Sequence, residues 1–204
     1  EEDCLASRVC QGLVNATVYM GAALGSLCVG TPRLSAVGSR QQMMLSDVLW
    51  VLGAYLCASA QDLVSLLAGR FASGVGLGIC AIAAPLYIAE VSPRERRGAN
   101  ATKHGVFIAV GILASIMLGL PQSPPPQGPQ DRLSERDVWF WRFLLAMPAV
   151  PALIQALLFK FLVPVDPPSF LVQQGDVAEA RSLLYKTYGK LPLAEGARGA
   201  GQST

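Results

Sequence analysis

The residues of this chain best suited to chemistry are charges rather than nucleophiles. Glu90, Arg94, Arg96 and Arg97 fall together in one short stretch. A carboxylate beside guanidiniums forms bidentate, charge-assisted ion pairs. Such pairs hold one conformation and break in another, which is the chemistry of a gate. The other candidates, Arg70, His104, Gln155 and Asp166, stand apart from one another. One histidine and five scattered cysteines give no metal-ligand cluster. No nucleophile-and-base pattern and no phosphate loop is present, so neither an enzyme nor a cofactor is expected. Cys4 and Cys10 can pair if that segment lies outside the cell; two free thiols are the equal alternative.

These residues are set in a chain built for lipid. It is 52% hydrophobic and 15% charged, with a mean hydropathy of +0.42. Soluble domains carry about 25% charged residues. A net charge of +2 without a basic and aromatic stripe gives no footprint for nucleic acid. A helix needs about 20 mostly apolar residues to cross the hydrocarbon. Read with that ruler, spans are expected at residues 11–30, 43–60, 63–89, 102–120 and 138–163. The fold class is therefore all-α, a multi-pass helix bundle. Residues 1–163 form the membrane bundle, 164–190 a polar helical linker, and 191–204 a disordered tail.

Small residues mark where the spans should touch. Gly21, Ala22, Ala23 and Gly25 cluster in the first, and Gly74, Gly76 and Gly78 in the third. In lipid, helices associate through close backbone approach rather than hydrophobic drive. The runs also lack the polar face that a soluble bundle requires. Lysine and arginine in short loops set orientation. One set of alternate connections carries Arg33, Arg40, Arg94, Arg96, Arg97 and Lys103, followed by Arg181, Lys186 and Lys190; the other carries Arg8, Arg132 and Arg136. The first set is expected in the cytoplasm, with the start of the chain outside and its end inside. The cell membrane is the expected location.

The segment Gly69 to Ala99, GRFASGVGLGICAIAAPLYIAEVSPRERRGA, closely resembles the signature of the sugar porter family of the major facilitator superfamily. Gly69, Arg70, Gly74, Gly76, Gly78, Pro85, Tyr87, Glu90, Pro93, Arg97 and Gly98 carry the match. The resemblance implies a carrier of monosaccharides, hexoses foremost, that alternates access between two halves. It makes the five spans equivalent to helices two to six of twelve. The remaining half, or a full-length carrier, becomes a required partner alongside the bilayer. A truncated, non-transporting relative is the alternative, and a membrane adaptor with a Pro-rich outer loop is a third reading.

Roles carried by the resemblance divide into three groups. Gly38, Arg40, Glu90, Arg94, Arg96, Arg97 and Asp166 belong to an inner gate. That gate departs from the family pattern, because Ser39 stands where a basic residue is usual and Ser35 where an acid is usual. Ser169 likewise replaces an arginine after the last span. His104, Gly105, Ile108 and Ile112 fall on the substrate path, with Gly105 in the place of a sugar-binding glutamine. Glycine offers no side chain to satisfy a hydroxyl. Gln155 faces the path or bonds a neighbouring helix. Arg70, Trp141 and Arg142 are structural, at the outer interface.

Overall fold

The computed structural model describes residues 8–93, 95–120, 135–161, 167, 170–172, 175–178 and 181–182. The described elements are helices: α1 Arg8–Val29, α2 Pro32–Ser35, α3 Ser39–Ser59, α4 Leu63–Val91, α5 Arg97–Gly119, α6 Glu135–Ala146 and α7 Ala149–Phe161. Five segments are long and apolar enough to cross a membrane, with α6 and α7 together forming the last. No strand occurs among the described residues. The 121–134 connection, most of the 164–190 linker, the 191–204 tail, Cys4, Arg94 and Asp166 lie outside the described residues.

The start of α3 extends ahead of its apolar run, where polar side chains find partners. α3 starts at Ser39, ahead of the apolar stretch, because its first turn is buried rather than solvated. Gly38 caps it, its carbonyl accepting the Gln42 amide at 3.1 Å. The Gln42 side chain then donates to the carbonyls of Leu34 and Val37, both at 2.8 Å. Those carbonyls lie at and just beyond the end of the short helix α2, where helix carbonyls run out of intrahelical donors; that of Leu34 also accepts the Val37 amide at 3.1 Å. At the far end, Asp62 caps α4 and accepts a hydrogen bond from Ser65 Oγ. The last span is broken at Met147-Pro148. Pro148 and Pro151 lack amide protons, so the hydrogen-bond ladder cannot run through, and α7 restarts with proline in its first turn. Pro85, by contrast, sits inside α4, which runs on through it.

α4 is the centre of the bundle and packs along both α1 and α3. Its glycines divide between the two partners. A methyl group on Gly74 would overlap the backbone of Val18, and one on Gly78 the backbone of Ala22. From the other side, Gly21 and Gly25 of α1 lie against the backbone at Phe71 and Val75. Toward α3, a methyl on Gly69 would sit 2.7 Å from Cys57 Sγ, and one on Gly76 3.0 Å from the Ser46 carbonyl. Gly53 of α3 completes that seam, 2.7 Å from the Ser73 amide by the same construction. Packing of this kind is backbone on backbone, which is what helix association in lipid requires. α6 and α7 pack on α3.

α5 differs from the rest. None of its residues is buried, and its packing is mainly with α4, its neighbour in sequence. Phe107, Leu113 and Ile116 are all more than half exposed. So large an apolar surface is suited to lipid or to another bundle, not to water.

Candidate functional site

The end of the bundle that carries Glu90 ties three helices together. Glu90 is half-buried and accepts a 2.5 Å hydrogen bond from Ser39 Oγ, which joins α4 to α3. Arg40 Nη2 donates to the Phe159 carbonyl at 3.0 Å, joining α3 to α7. The rings of Tyr87 and Phe159 meet edge to face, 5.4 Å between centroids, joining α4 to α7. Met43, Ala83, Ala84 and Phe159 form the apolar core beneath these contacts. Gly38 is buried against the ring of Phe170, where a Cβ would lie 3.0 Å from the aromatic carbons. Phe170 and Leu171 are themselves buried. The stretch after the last span therefore returns to this end.

The charges expected to cluster here are only partly brought together. Arg96 caps α5 and Arg97 opens it, both with exposed side chains, and neither pairs with Glu90. The physical reason is direction. Glu90 turns toward α3, whereas Ser92 and Pro93 break the helix before the arginines begin. That break is fastened by Asn100 Nδ2 donating to Ser92 Oγ at 2.9 Å. Gly98 next to the arginines is exposed, with open space around it. The result is an anionic group held by a hydroxyl, with guanidiniums free to meet solvent or lipid phosphate.

The residues expected on a substrate path sit on α5. Gly105 has nothing within 4 Å of a Cβ position. Ile108 and Ile112 are 51% and 56% exposed. His104 is half-buried. Steps of three and four residues put Gly105, Ile108 and Ile112 on one helix face. This face is open among the described residues. Gln155 lies on α7 instead, half-buried, and its Nε2 is enclosed without a partner.

Arg70 lines a cavity of about 250 Å³ at the opposite end, with Trp50, Cys57, Ser73 and Trp141. Its Nε is enclosed without a hydrogen-bond partner. Arg142 nearby fastens α6 to the end of α3, donating to the carbonyls of Ala58 and Ala60 at 3.3 and 3.4 Å. Cys10 of α1 is disulfide-bonded, to a partner outside the described residues. Cys28, Cys57 and Cys80 are free thiols.

Sequence reasoning missed two site residues. Ser39 registered only as a lost basic residue, yet it is the group that holds Glu90. Asp47 drew no role, although an acid within an apolar run is a signal in itself.

The described helices are packed on one another through glycine and joined at one end by polar contacts. The fold is similar to that of the xylose transporter XylE from E. coli in its inward open conformation, with a TM-score of 0.66 at 23% identity, covering 89% of this chain and 42% of that one. The family model for sugar (and other) transporters matches residues 1–198, and the chain belongs to that family. Hexose transporter 1 of Toxoplasma gondii is 34% identical over 92% of this chain and 33% of its own length. The proton myo-inositol cotransporter of Homo sapiens is 35% identical over 90% of this chain and 26% of its own length. The chain thus spans about a third of the length of the curated relatives it matches.

Proposed function

We propose that this chain forms part of a carrier that moves a hexose across a membrane by alternating access, as a multi-pass protein of the plasma membrane. The observation that carries the reading is the Glu90 end. There α7 is joined to α3 and α4 by single, breakable contacts, Arg40 to Phe159 and Tyr87 to Phe159, beside the Ser39 to Glu90 bond between α3 and α4 and the returning Phe170. Contacts of this size suit a gate that closes one conformation and opens in another. Glu90 with Arg40, Arg94, Arg96, Arg97 and Asp166 are its charged members, and this end faces the cytoplasm. The open face of α5, with Gly105, Ile108 and Ile112, borders the sugar path. Gly105 leaves room there rather than a hydrogen bond, so the hydroxyl-binding groups come chiefly from outside this chain. Membership of the sugar transporter family and the names of the relatives support the substrate class.

The exposed face of α5 favours a second reading of the chain taken alone. By itself it encloses no path and does not transport. It then needs a facing bundle, either the rest of a longer carrier or a full-length carrier beside it. Uptake of labelled hexose into vesicles separates the two. Uptake is expected from a carrier that contains this chain together with a facing bundle, and not from the chain alone. Uptake by the chain alone would overturn the need for a partner. No uptake by the longer carrier, with any hexose, would overturn the transport reading.

A further inference from the structure

The face of α3 turned into the bundle is a single helical stripe that includes Ser39, Met43, Ser46, Asp47, Gly53 and Cys57. Its other polar members each make a side-chain hydrogen bond, although Gln42 Oε1 is enclosed without a partner. Ser39 donates to Glu90, Ser46 Oγ donates to the Met43 carbonyl at 2.7 Å, and the Gln42 amide closes α2. Asp47 is the exception. It is 4% exposed, and its Oδ2 is enclosed with no hydrogen-bond partner.

The surroundings of Asp47 offer no compensating charge among the described residues. From α4 the facing titratable group is the Cys80 thiol, which interacts with it electrostatically. Tyr87 meets the Phe159 ring edge to face. Glu90 is held by Ser39, roughly 12 Å back along α3 at 1.5 Å per residue. Arg70 acts on Cys57, roughly 15 Å the other way. On α3 itself, Arg40 is turned to the Phe159 carbonyl, and Tyr55 is exposed. From α6, Arg142 is engaged with Ala58 and Ala60, and the charges of Glu135, Arg136 and Asp137 lie at that helix's start. From α7, Lys160 is exposed and turned over the Phe161 ring. α7 also brings Gln155, whose enclosed Nε2 lacks a partner. The Arg40 to Phe159 bond sets the level of the two antiparallel helices. By that level, Gln155 lies within about one helical turn of Asp47 along the axis.

An ionised carboxylate with no partner in a membrane interior is too costly to persist, and binding a proton removes the charge. We infer that Asp47 is a proton-binding site on the inward face of α3, filled when that face is covered and emptied when water reaches it. The ligand is a single proton. Water reaches Asp47 when α7, which packs on α3 and is held at the Glu90 end by side-chain contacts, moves off that face, while the α3–α4 packing stays intact. The use of this proton, to link sugar movement to a proton gradient, rests on the transport reading above; the site itself does not.

Infrared spectroscopy of the full chain in lipid vesicles tests the site directly. A carbonyl stretch from a protonated carboxylic acid is expected at neutral pH, where exposed aspartates are ionised. It should vanish in Asp47→Asn and shift in Asp47→Glu. Absence of any protonated carboxyl in the unsubstituted chain at neutral pH would overturn the site, without reliance on a variant that folds. Persistence of the band in a folded Asp47→Asn chain would do the same. For coupling, hexose uptake by the longer carrier is expected to vary with pH, and Asp47→Asn to flatten that dependence. An unaltered pH profile in Asp47→Asn overturns the coupling role. Absence of uptake in the unsubstituted carrier overturns the transport reading, and the infrared band then decides the proton site alone.

Discussion

At the scale of single residues, glycine and one serine carry the decisive contacts. Gly74→Ala and Gly78→Ala place a methyl group into the backbone of α1. Each is expected to destabilise the bundle by about 1–3 kcal/mol, the usual cost of overpacking. Gly111 has open space around it. Gly111→Ala is therefore expected to be neutral or stabilising, by up to about 1 kcal/mol from helix propensity. Thermal unfolding in detergent, followed by circular dichroism, checks all three against one another. Ser39→Ala removes the hydrogen bond to Glu90. Bonds to charged groups contribute about 1.5–3 kcal/mol. The same unfolding measurement should show a loss in that range, and an unchanged midpoint would mean that the Ser39–Glu90 bond does not help hold α3 to α4. The glycines were legible in the sequence, because their density within apolar runs has one physical use in lipid. The hold of Ser39 on Glu90 was not. A hydroxyl in the place of a guanidinium reads as a loss until the distance between two helices is known.

At the scale of elements, α5 stands out as the least supported helix. It has no buried residue, whereas α3 and α4 hold most of the bundle's buried positions. Local stability follows local packing. Backbone amides of α5 are expected to exchange with deuterium well before those of α4 when the chain is held in detergent. Exchange at equal rates would mean that α5 has a partner surface not accounted for by these contacts. The existence of the spans could be read from length and apolarity alone. Their starts could not, since Ser39 to Gln42 and Arg97 to Ala101 are polar or small, and join their helices only through tertiary contacts or solvation. The break at Met147-Pro148 was equally hidden. Hydropathy sees one span across residues 138–163, and the two prolines decide the chain's path inside it.

At the scale of the whole molecule, the alternation of basic loops predicts a testable topology. Gln61 and Glu95 are exposed and sit at opposite ends of α4. In a background without reactive native thiols, Glu95→Cys is expected to react with a membrane-impermeant label only from the cytoplasmic side. Gln61→Cys should react only from the outside. Labelling of both from one side would contradict the bundle's arrangement. The glycine seams have a mechanical consequence. α1, α3 and α4 meet through main-chain atoms, which have no alternative rotamers, so these three helices cannot slide past one another by small side-chain adjustments. Any change of shape must carry them together as one stiff plate. The compliance of the molecule then lies at its margins: the Met147-Pro148 break, the lightly held α5, and the side-chain contacts that α7 makes at the Glu90 end. A force applied through this chain would bend it there first, and leave the plate intact.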